Sequence, residues 1–199
     1  MNKMTVNIVL FNDFETLDAF GPIEIFGTLR DEFDLRFISE SGGEVKSVHG
    51  VKILTEPFSS FKSNEILFIP GGMGVRGLVE NKTYVDLLRD FSNASKYILT
   101  VCTGSALLGK TGLLNHKAAT SNKIAFDWVK SIAPAVDWQE NARWSVDDKY
   151  YTSSGVSAGM DMALGFIRDI FSREKADKAA KYIEYIWNDN PDYDPFSLK

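Results

Sequence analysis

Short apolar runs alternate along the chain with longer segments in which apolar residues recur every three or four positions. An apolar run of four to eight residues is typical of a buried strand, and the longer spacing is typical of an amphipathic helix. This pattern predicts strands at Thr5–Phe11, Asp34–Ser39, Glu65–Pro70, Tyr97–Val101, Val136–Gln139, Ala142–Val146 and Tyr150–Ser153. It predicts helices at Leu17–Leu29, Tyr84–Ala94, Ala125–Ile132, Ala158–Phe171 and Glu174–Trp187.

A hairpin and a tail complete the predicted elements. Val45–Ser47 and Val51–Leu54 flank a turn at His49 and Gly50, which predicts a hairpin at an edge of the sheet. The tail, residues 188–199, contains two prolines and is predicted to be extended. Because strands alternate with helices and no linker or repeat interrupts them, we expect one α/β domain over residues 1–199 with a mostly parallel sheet.

Composition and charge narrow the class of protein. A chain of 199 residues, 44% of them hydrophobic, can bury one large core. The net charge is −5 and no Lys or Arg cluster interrupts it, so nucleic acid is not an expected partner. The longest apolar stretches have about half the length of a membrane-spanning helix, so no membrane association is expected. The single cysteine cannot form an internal disulfide, and no cleavable signal pattern precedes the first strand, which predicts a cytoplasmic protein.

The only cysteine, Cys102, lies between the buried strand Tyr97–Val101 and a stretch rich in Ala and Leu that begins at Thr103. A tight strand-to-helix turn would lift the thiol above the edge of the sheet, where the amides of the first helical turn stabilise a thiolate. Ligands of open α/β sheets bind at the carboxyl ends of the strands, which favours a nucleophile here. The alternative is a structural cysteine that packs as a small hydrophobic residue.

Gly71 and Gly72 follow another predicted strand and leave room for a ligand to approach the backbone. The amides of Gly72 and Thr103 are expected to form an anion or oxyanion site, although an ordinary tight turn is the alternative. Neither glycine-containing loop matches a dinucleotide or phosphate-loop fingerprint, so no nucleotide cofactor is expected. His49 and His116 both occur in turn-like contexts without ligand spacing, so no metal is expected.

A thiol nucleophile needs an acid or base beside it, and acidic residues follow the first predicted strand. Asp18 is the preferred candidate because its neighbours become apolar as the helix begins, which draws its carboxyl inward. Asp13 and Glu15 are expected to be solvated. Asp18 alternatively caps the helix, and Glu24, further along that helix, is the second candidate for the acid.

Four segments together resemble the ThiJ/PfpI family within the class I glutamine amidotransferase-like superfamily. They are Leu17-Asp-Ala-Phe-Gly-Pro22, Pro70-Gly-Gly-Met-Gly74, Val101-Cys-Thr-Gly-Ser105 followed by Leu107-Leu-Gly-Lys-Thr-Gly-Leu-Leu114, and Ser154-Gly-Val-Ser-Ala-Gly-Met-Asp161. The pairing of an elbow cysteine with an Asp in an L-D-x-x-G-P context is similar to the isonitrile hydratase branch. The resemblance runs from Val6 to about Phe196. The same pattern occurs in sensor domains of AraC-type regulators, but no continuation into a DNA-binding segment is expected here.

The resemblance implies a flavodoxin-like three-layer sandwich, a homodimer, no cofactor, and a reactive Cys102 beside a protonated Asp18. It implies that the Cys102 thiolate attacks the terminal carbon of an isonitrile and that Asp18 protonates the adduct before water releases an N-substituted formamide. Gly72 and Thr103 would orient the intermediate or the water. The alternatives are a deglycase or glyoxalase-like enzyme acting on reactive carbonyls and a non-enzymatic ligand or oxidation sensor.

One position departs from the pattern of the superfamily. Proteases and amidotransferases of that superfamily have a His at the position where this chain has Asn122. Without that His, a Cys-His protease or glutaminase mechanism lacks its general base and is not expected. A side chain at Asn122 can face the pocket and influence the choice of substrate. The turn Ser154–Ser157 either closes the pocket or simply begins the next helix.

Overall fold

A mostly parallel sheet of eight strands forms the centre of the fold in the computed structural model, which describes residues 3–197. Its strands are β1 (Met4–Val9), β2 (Phe33–Ser39), β3 (Ser41–Lys46), β4 (Lys52–Pro57), β5 (Ile66–Ile69), β6 (Tyr97–Val101), β9 (Trp144–Asp147) and β10 (Tyr150–Ser153). They lie in the order β3-β4-β2-β1-β5-β6-β10-β9. Only the pairs β3–β4 and β9–β10 are antiparallel. A second, two-stranded sheet pairs β7 (Ala118–Ala119) with β8 (Asp137–Trp138).

Helices cover both faces of the large sheet. They are α1 (Thr16–Thr28), α2 (Val75–Leu78), α3 (Lys82–Asn93), α4 (Gly104–Lys110), α5 (Phe126–Ile132), α6 (Ala158–Ile170) and α7 (Arg173–Tyr182). Helices α1, α6 and α7 contact one another on one face, and α2, α3 and α5 each contact α4 on the other. This arrangement confirms the flavodoxin-like three-layer sandwich. Across residues 3–197, every helix is too short or too polar to cross a membrane.

The central strands bring the ends of three loops together. The paired positions Ile8 with Phe68 and Ile69 with Thr100 align the carboxyl ends of β1, β5 and β6 along one edge of the sheet. All four residues of β5 are buried, because helices cover this strand on both faces and its side chains are apolar. The loops that follow these strands lead to Asp18, Gly71 and Cys102, so the fold gathers these three residues at one sheet edge.

Several boundaries differ from the sequence-based predictions. The edge hairpin is confirmed, but its strands are longer than predicted because backbone pairing continues through polar and glycine positions. The last predicted helix ends at Tyr182 rather than Trp187. Glu184 adopts a left-handed φ of +53°, and the Tyr185 hydroxyl and the Asn188 N–H both bond to Asp161 of α6. Those bonds turn the chain away from the helix axis. The described part of the tail is irregular and contains turns.

Candidate active site

Two residues join β6 to α4 in the elbow that carries Cys102. Cys102 has a φ of +56°, a left-handed conformation that costs a non-glycine residue about 1–2 kcal/mol. Its N–H donates to the Ser154 carbonyl at 3.1 Å, and its carbonyl accepts from the hydroxyls of Ser105 at 2.9 Å and Ser121 at 2.8 Å. These hydrogen bonds hold the strained residue in place. The structure therefore contains the strand-to-helix elbow that the sequence predicted.

The carboxyl of Asp18 is completely buried in the first turn of α1. Its Oδ2 accepts the Gly71 N–H at 2.9 Å, whereas Oδ1 is buried without a hydrogen-bond partner among the described residues. Burial, and to a lesser degree the charge of Glu15, raises the pKa of Asp18 to about 7. The Gly71 N–H, the Cys102 thiol and the Val156 N–H oppose this increase. Near neutral pH the carboxyl therefore carries a proton in a large fraction of molecules.

The structure separates Asp18 from the other acidic candidates. Asp18 does not cap α1, because Glu15 occupies the N-cap position and the Asp18 carboxylate accepts from Gly71 instead. The Glu15 carboxylate lies 3.5 Å from the imidazole of His49. Glu24 is exposed on α1. Of these acids, Asp18 is therefore the one whose carboxyl is completely buried beside the thiol.

The Cys102 thiol is 7% exposed, and its environment acts on its pKa in two directions. Burial and the negative charge of Asp18 raise the pKa of Cys102, whereas the N–H and hydroxyl of Thr103 and the N–H of Val156 lower it. The upward effects exceed the stabilisation of the thiolate that the elbow amides provide. Because the two acids interact, they titrate as a pair. Above pH 7 the pair holds one proton and one negative charge; the charge is mainly on Asp18, and the N–H groups of Thr103 and Val156 favour its transfer to sulfur.

The two glycines after β5 position the elbow rather than present free amides. The Gly72 N–H donates to the Thr103 hydroxyl at 3.0 Å, and the Gly71 N–H bonds to Asp18. A Cβ on Gly71 would lie 2.6 Å from the Thr103 nitrogen and 2.8 Å from Asp18 Oδ2, so only glycine fits. The oxyanion role expected of the Gly72 amide stays a prediction, and it requires the Gly72 N–H to leave the Thr103 hydroxyl when a ligand binds. The Thr103 N–H lowers the pKa of Cys102.

A cavity of about 380 Å³ lies beside the turn Ser154–Ser157, whose Ser154 carbonyl accepts the Cys102 N–H. It is lined by Asn122, Lys123, Ile124, Arg143, Ser154, Gly155, Val156, Ser157 and Phe196. The Asn122 side chain packs so closely that a Cβ on Gly155 would lie 2.3 Å from its Nδ2. Asn122 is therefore fixed against the turn Ser154–Ser157 in the lining of the cavity. The turn Ser154–Ser157 forms a wall of this cavity as well as leading into α6.

Metal binding finds no support in the part of the chain that the structure describes. No group of three His, Cys, Asp or Glu side chains there is arranged to hold a metal ion. The His49 imidazole bonds to the Thr16 hydroxyl at 2.9 Å, and His116 lies in a left-handed turn. Neither histidine contributes to the pair formed by Cys102 and Asp18.

A comparison with known protein families matches one family over most of the chain, including the elbow. The model of the DJ-1/PfpI family matches residues 4–169, which contain both Asp18 and Cys102. The chain belongs to the DJ-1/PfpI family. The family resemblance that the sequence motifs indicated is therefore confirmed.

Curated proteins that are similar to this chain have names that indicate different roles. Isonitrile hydratase from Pseudomonas putida is 28% identical over 185 residues, which cover 92% of this chain and 78% of that protein. The HTH-type transcriptional regulator GbdR from Pseudomonas aeruginosa is 24% identical over 87% of this chain, and the match spans 48% of the regulator. Similarity at this level supports the family without deciding between catalysis and regulation.

Solved structures agree with the DJ-1/PfpI assignment. A THiJ/PfpI family protein from Pseudomonas syringae has a TM-score of 0.85 at 27% identity, with coverage of 99% of this chain and 80% of that chain. Drosophila melanogaster DJ-1beta has a TM-score of 0.79 at 21% identity, with coverage of 94% of this chain and all of that chain. The second comparison shows a shared fold alone.

Sequence reasoning missed three contributors to this DJ-1/PfpI site. Val156 provides a backbone N–H near both Cys102 and Asp18, and Ser121 bonds to the Cys102 carbonyl. Arg143 is buried next to the turn that contains Val156. Only Arg143 had a signal in the sequence, as a charged residue inside the apolar segment Ala142–Val146. A backbone N–H has no sequence signature, because every residue except proline carries one.

Proposed function

We propose that the chain is a cysteine-dependent hydratase that adds water to an isonitrile, R–NC, and releases an N-substituted formamide, R–NH–CHO. The observation that carries the proposal is the buried pair of Cys102, on its left-handed elbow, and Asp18, with one carboxyl oxygen free of other partners. The similarity to Pseudomonas putida isonitrile hydratase, which extends over 92% of this chain, supports the same activity.

The first half of the proposed reaction uses the shared proton of the pair. The Cys102 sulfur forms a bond to the terminal carbon of the isonitrile, and the proton that Asp18 holds passes to the same carbon. The product is a thioimidate, S–CH=N–R, and Asp18 is left as a carboxylate. The raised pKa of Asp18, about 7, suits a group that must carry a proton before the attack and release it during the attack.

The second half of the reaction consumes water. Asp18, now a carboxylate, removes a proton from the water whose oxygen adds to the thioimidate carbon, and the nitrogen takes up that proton. The C–S bond then breaks as the hydroxyl group becomes the carbonyl of the formamide. The sulfur leaves as a thiolate and Asp18 takes up the hydroxyl proton, so the pair again holds one proton and one negative charge. One water molecule is consumed, and the enzyme returns to its starting state without a cofactor.

The cavity beside the turn Ser154–Ser157 provides a place for the substituent R. Ile124 and Phe196 give it apolar surface, and its two charged lining residues already have partners. Arg143 pairs with Asp161 and Asp194, and the Lys123 ammonium donates to the Thr120 hydroxyl and the Ala142 carbonyl. An uncharged aliphatic or aryl substituent therefore suits this cavity better than a charged one. The reactive carbon of an isonitrile is terminal, so the proposal requires that carbon to extend from the cavity to Cys102, which is not among the residues that line the cavity.

Removal of the Phe196 ring is expected to weaken the binding of an aryl isonitrile. Phe196→Ala should raise KM about three- to tenfold and leave kcat within twofold, because the ring contacts the substituent equally in the ground and transition states. Steady-state kinetics measure both constants. The matched control is Tyr193→Ala, which removes an exposed ring of the same tail outside the cavity and should leave KM unchanged. A normal KM for Phe196→Ala would contradict this use of the cavity.

The test of the proposed activity follows an aryl isonitrile and its formamide by chromatography, with methylglyoxal offered separately to the same protein. Formamide production far above the uncatalysed rate, with one oxygen atom from ¹⁸O-labelled water, supports the hydratase. Intact-protein mass spectrometry during turnover should show an adduct equal in mass to one isonitrile. Loss of methylglyoxal without formamide production would replace the hydratase with a carbonyl-directed enzyme. Rapid oxidation of Cys102 without turnover of either substrate would favour a sensor.

The expected assembly and setting follow from the sequence rather than from the geometry. We propose a cytoplasmic homodimer that acts on a small molecule and has neither nucleic acid nor a membrane as partner. The free, single cysteine agrees with a reducing compartment. Light scattering of the purified protein distinguishes a dimer from a monomer.

A further inference from the structure

Val156 lies in an unusual backbone conformation at the candidate site. Its φ is +44°, and among the residues with positive φ in the range 3–197 it is the only β-branched one. The left-handed region is strongly disfavoured for such a side chain, and strain of this kind concentrates at functional positions. The N–H of this residue lies near both the Cys102 thiol and the Asp18 carboxyl and lowers the pKa of each. The strain therefore coincides with a donor directed at the reacting pair.

Arg143 binds both ends of the turn that contains Val156. Its carbonyl accepts the Ser154 N–H at 2.9 Å, and its Nη2 donates to the Ser157 hydroxyl at 3.1 Å. The Ser154 carbonyl in turn accepts the Cys102 N–H at 3.1 Å. One arginine thus spans the turn, and the same turn is bonded directly to the elbow.

The Ser157 hydroxyl is diverted from its usual role. Serine is a preferred N-cap residue, and Ser157 occupies the N-cap position of α6, yet its side chain makes no capping hydrogen bond. It accepts from Arg143 instead. A side-chain cap generally contributes about 1 kcal/mol to helix stability. Helix α6 lacks that contribution, because the Ser157 hydroxyl bonds to Arg143.

Two buried carboxylates hold the guanidinium group of Arg143. Asp161 accepts from it at 2.8 Å, and Asp194, in the C-terminal tail, lies 3.5 Å away. Lys123 lies 4.0 Å from Asp194, so two cations face two anions in this cluster. Arg143, Asp161 and Asp194 are all buried. Replacing a buried ion pair with apolar residues is often neutral for stability, so the cluster calls for an explanation beyond stability.

We propose that Arg143 is a positioning residue, which holds the Val156 amide against Cys102 and Asp18 through its bonds to Ser154 and Ser157. Asp161 and Asp194 fix Arg143 in turn, so the C-terminal tail takes part in shaping the site. The effect on kcat rests on the proposed isonitrile chemistry. The fixed position of the Val156 N–H beside the Cys102 thiol does not depend on any substrate.

The test replaces Ser157, because that change removes one bond of Arg143 and leaves the buried charges in place. In Ser157→Ala, the Val156 amide is less fixed and the anion of the pair is less stabilised. We expect the pH midpoint for alkylation of Cys102 by iodoacetamide to rise by about half a unit to one unit. We also expect kcat for isonitrile hydration to fall about tenfold with KM within twofold, since removal of a whole oxyanion donor costs 10²–10³.

Three further variants separate the positioning role of Arg143 from a general effect on stability. Ser157→Thr keeps the hydroxyl and should restore the wild-type midpoint, whereas Ser131→Ala removes an exposed serine hydroxyl elsewhere and should leave the midpoint unchanged. Arg143→Lys, whose single ammonium replaces the three guanidinium nitrogens that reach Asp161, Ser157 and Asp194, should also raise the midpoint. A wild-type midpoint in Ser157→Ala, or equal shifts in Ser157→Ala and Ser157→Thr, would overturn the proposal. Because alkylation needs no isonitrile, this result stands even if the proposed hydratase activity is absent.

Discussion

Cys102→Ala is expected to abolish the hydration of an aryl isonitrile while the protein remains folded. The variant removes the atom that forms the bond to the isonitrile carbon, and no other thiol exists in the chain to replace it. We expect kcat/KM to fall at least a thousandfold, as for other enzymes that lose a covalent nucleophile. Formamide production measured beside the wild type gives the factor, and circular dichroism shows whether the fold is retained.

A second substitution at the same position separates chemistry from backbone strain. Cys102→Gly should be equally inactive but more stable than Cys102→Ala by about 1 kcal/mol, because glycine accepts the left-handed φ of the elbow without cost. Glu24→Gln, on the exposed side of α1, serves as an active control. Turnover by a folded Cys102→Ala protein would remove Cys102 from the mechanism.

Asp18→Asn is expected to stabilise the protein and at the same time to inactivate it. Burial raises the pKa of Asp18 from 3.8 to about 7 in the folded protein, whereas the unfolded chain retains a value near 3.8. The folded state therefore binds the proton more tightly, and wild-type stability falls as pH rises from about 4 to 7. Asparagine does not ionise, so its advantage in the free energy of unfolding grows from near zero at pH 4 to about 4 kcal/mol at pH 8.

Denaturant unfolding at several pH values measures this difference, and kinetics measure the loss of the acid. Activity should fall by 10²–10⁴, the usual contribution of general acid catalysis. Glu24→Gln is the matched control, since loss of an exposed carboxyl on the same helix should change stability by less than about 0.5 kcal/mol. An Asp18→Asn protein whose stability relative to wild type does not increase between pH 4 and pH 8 would show that Asp18 is not forced to ionise in a buried site.

The order of strands and helices was predictable because apolar periodicity reports burial directly. β6 and β10 begin and end where the apolar pattern places them, at Tyr97–Val101 and Tyr150–Ser153. The C-terminal end of α7 was not predictable in the same way. The apolar spacing continues to Trp187, but the carboxylate of Asp161 binds the Tyr185 hydroxyl and bends the chain, a tertiary contact that local spacing does not contain.

In the candidate site, the sequence indicates side chains with reactive groups but not the contributions of the backbone. Cys102 and Asp18 were identifiable because their residue types carry the chemistry and their neighbours are apolar. The hydrogen bond from the Gly72 N–H to the Thr103 hydroxyl was not predictable, because the sequence does not show which acceptor a backbone N–H meets. The contribution of Val156 depends on a backbone angle, and that angle depends on Arg143, which precedes it by thirteen positions in the sequence. Only the three-dimensional structure reveals such a contribution.

The bond between Arg143 and Asp194 also orders events during protein synthesis. A ribosome that adds about 5 to 20 residues per second delivers Asp194 roughly 0.6 to 2.4 s after Tyr182, the last residue of α7. For that interval the nascent chain contains Cys102, Asp18 and every described strand and helix, but not the carboxylate that helps to fix Arg143. On the positioning proposed for Arg143, a chain that stalls between these two residues holds its thiol in a less active form.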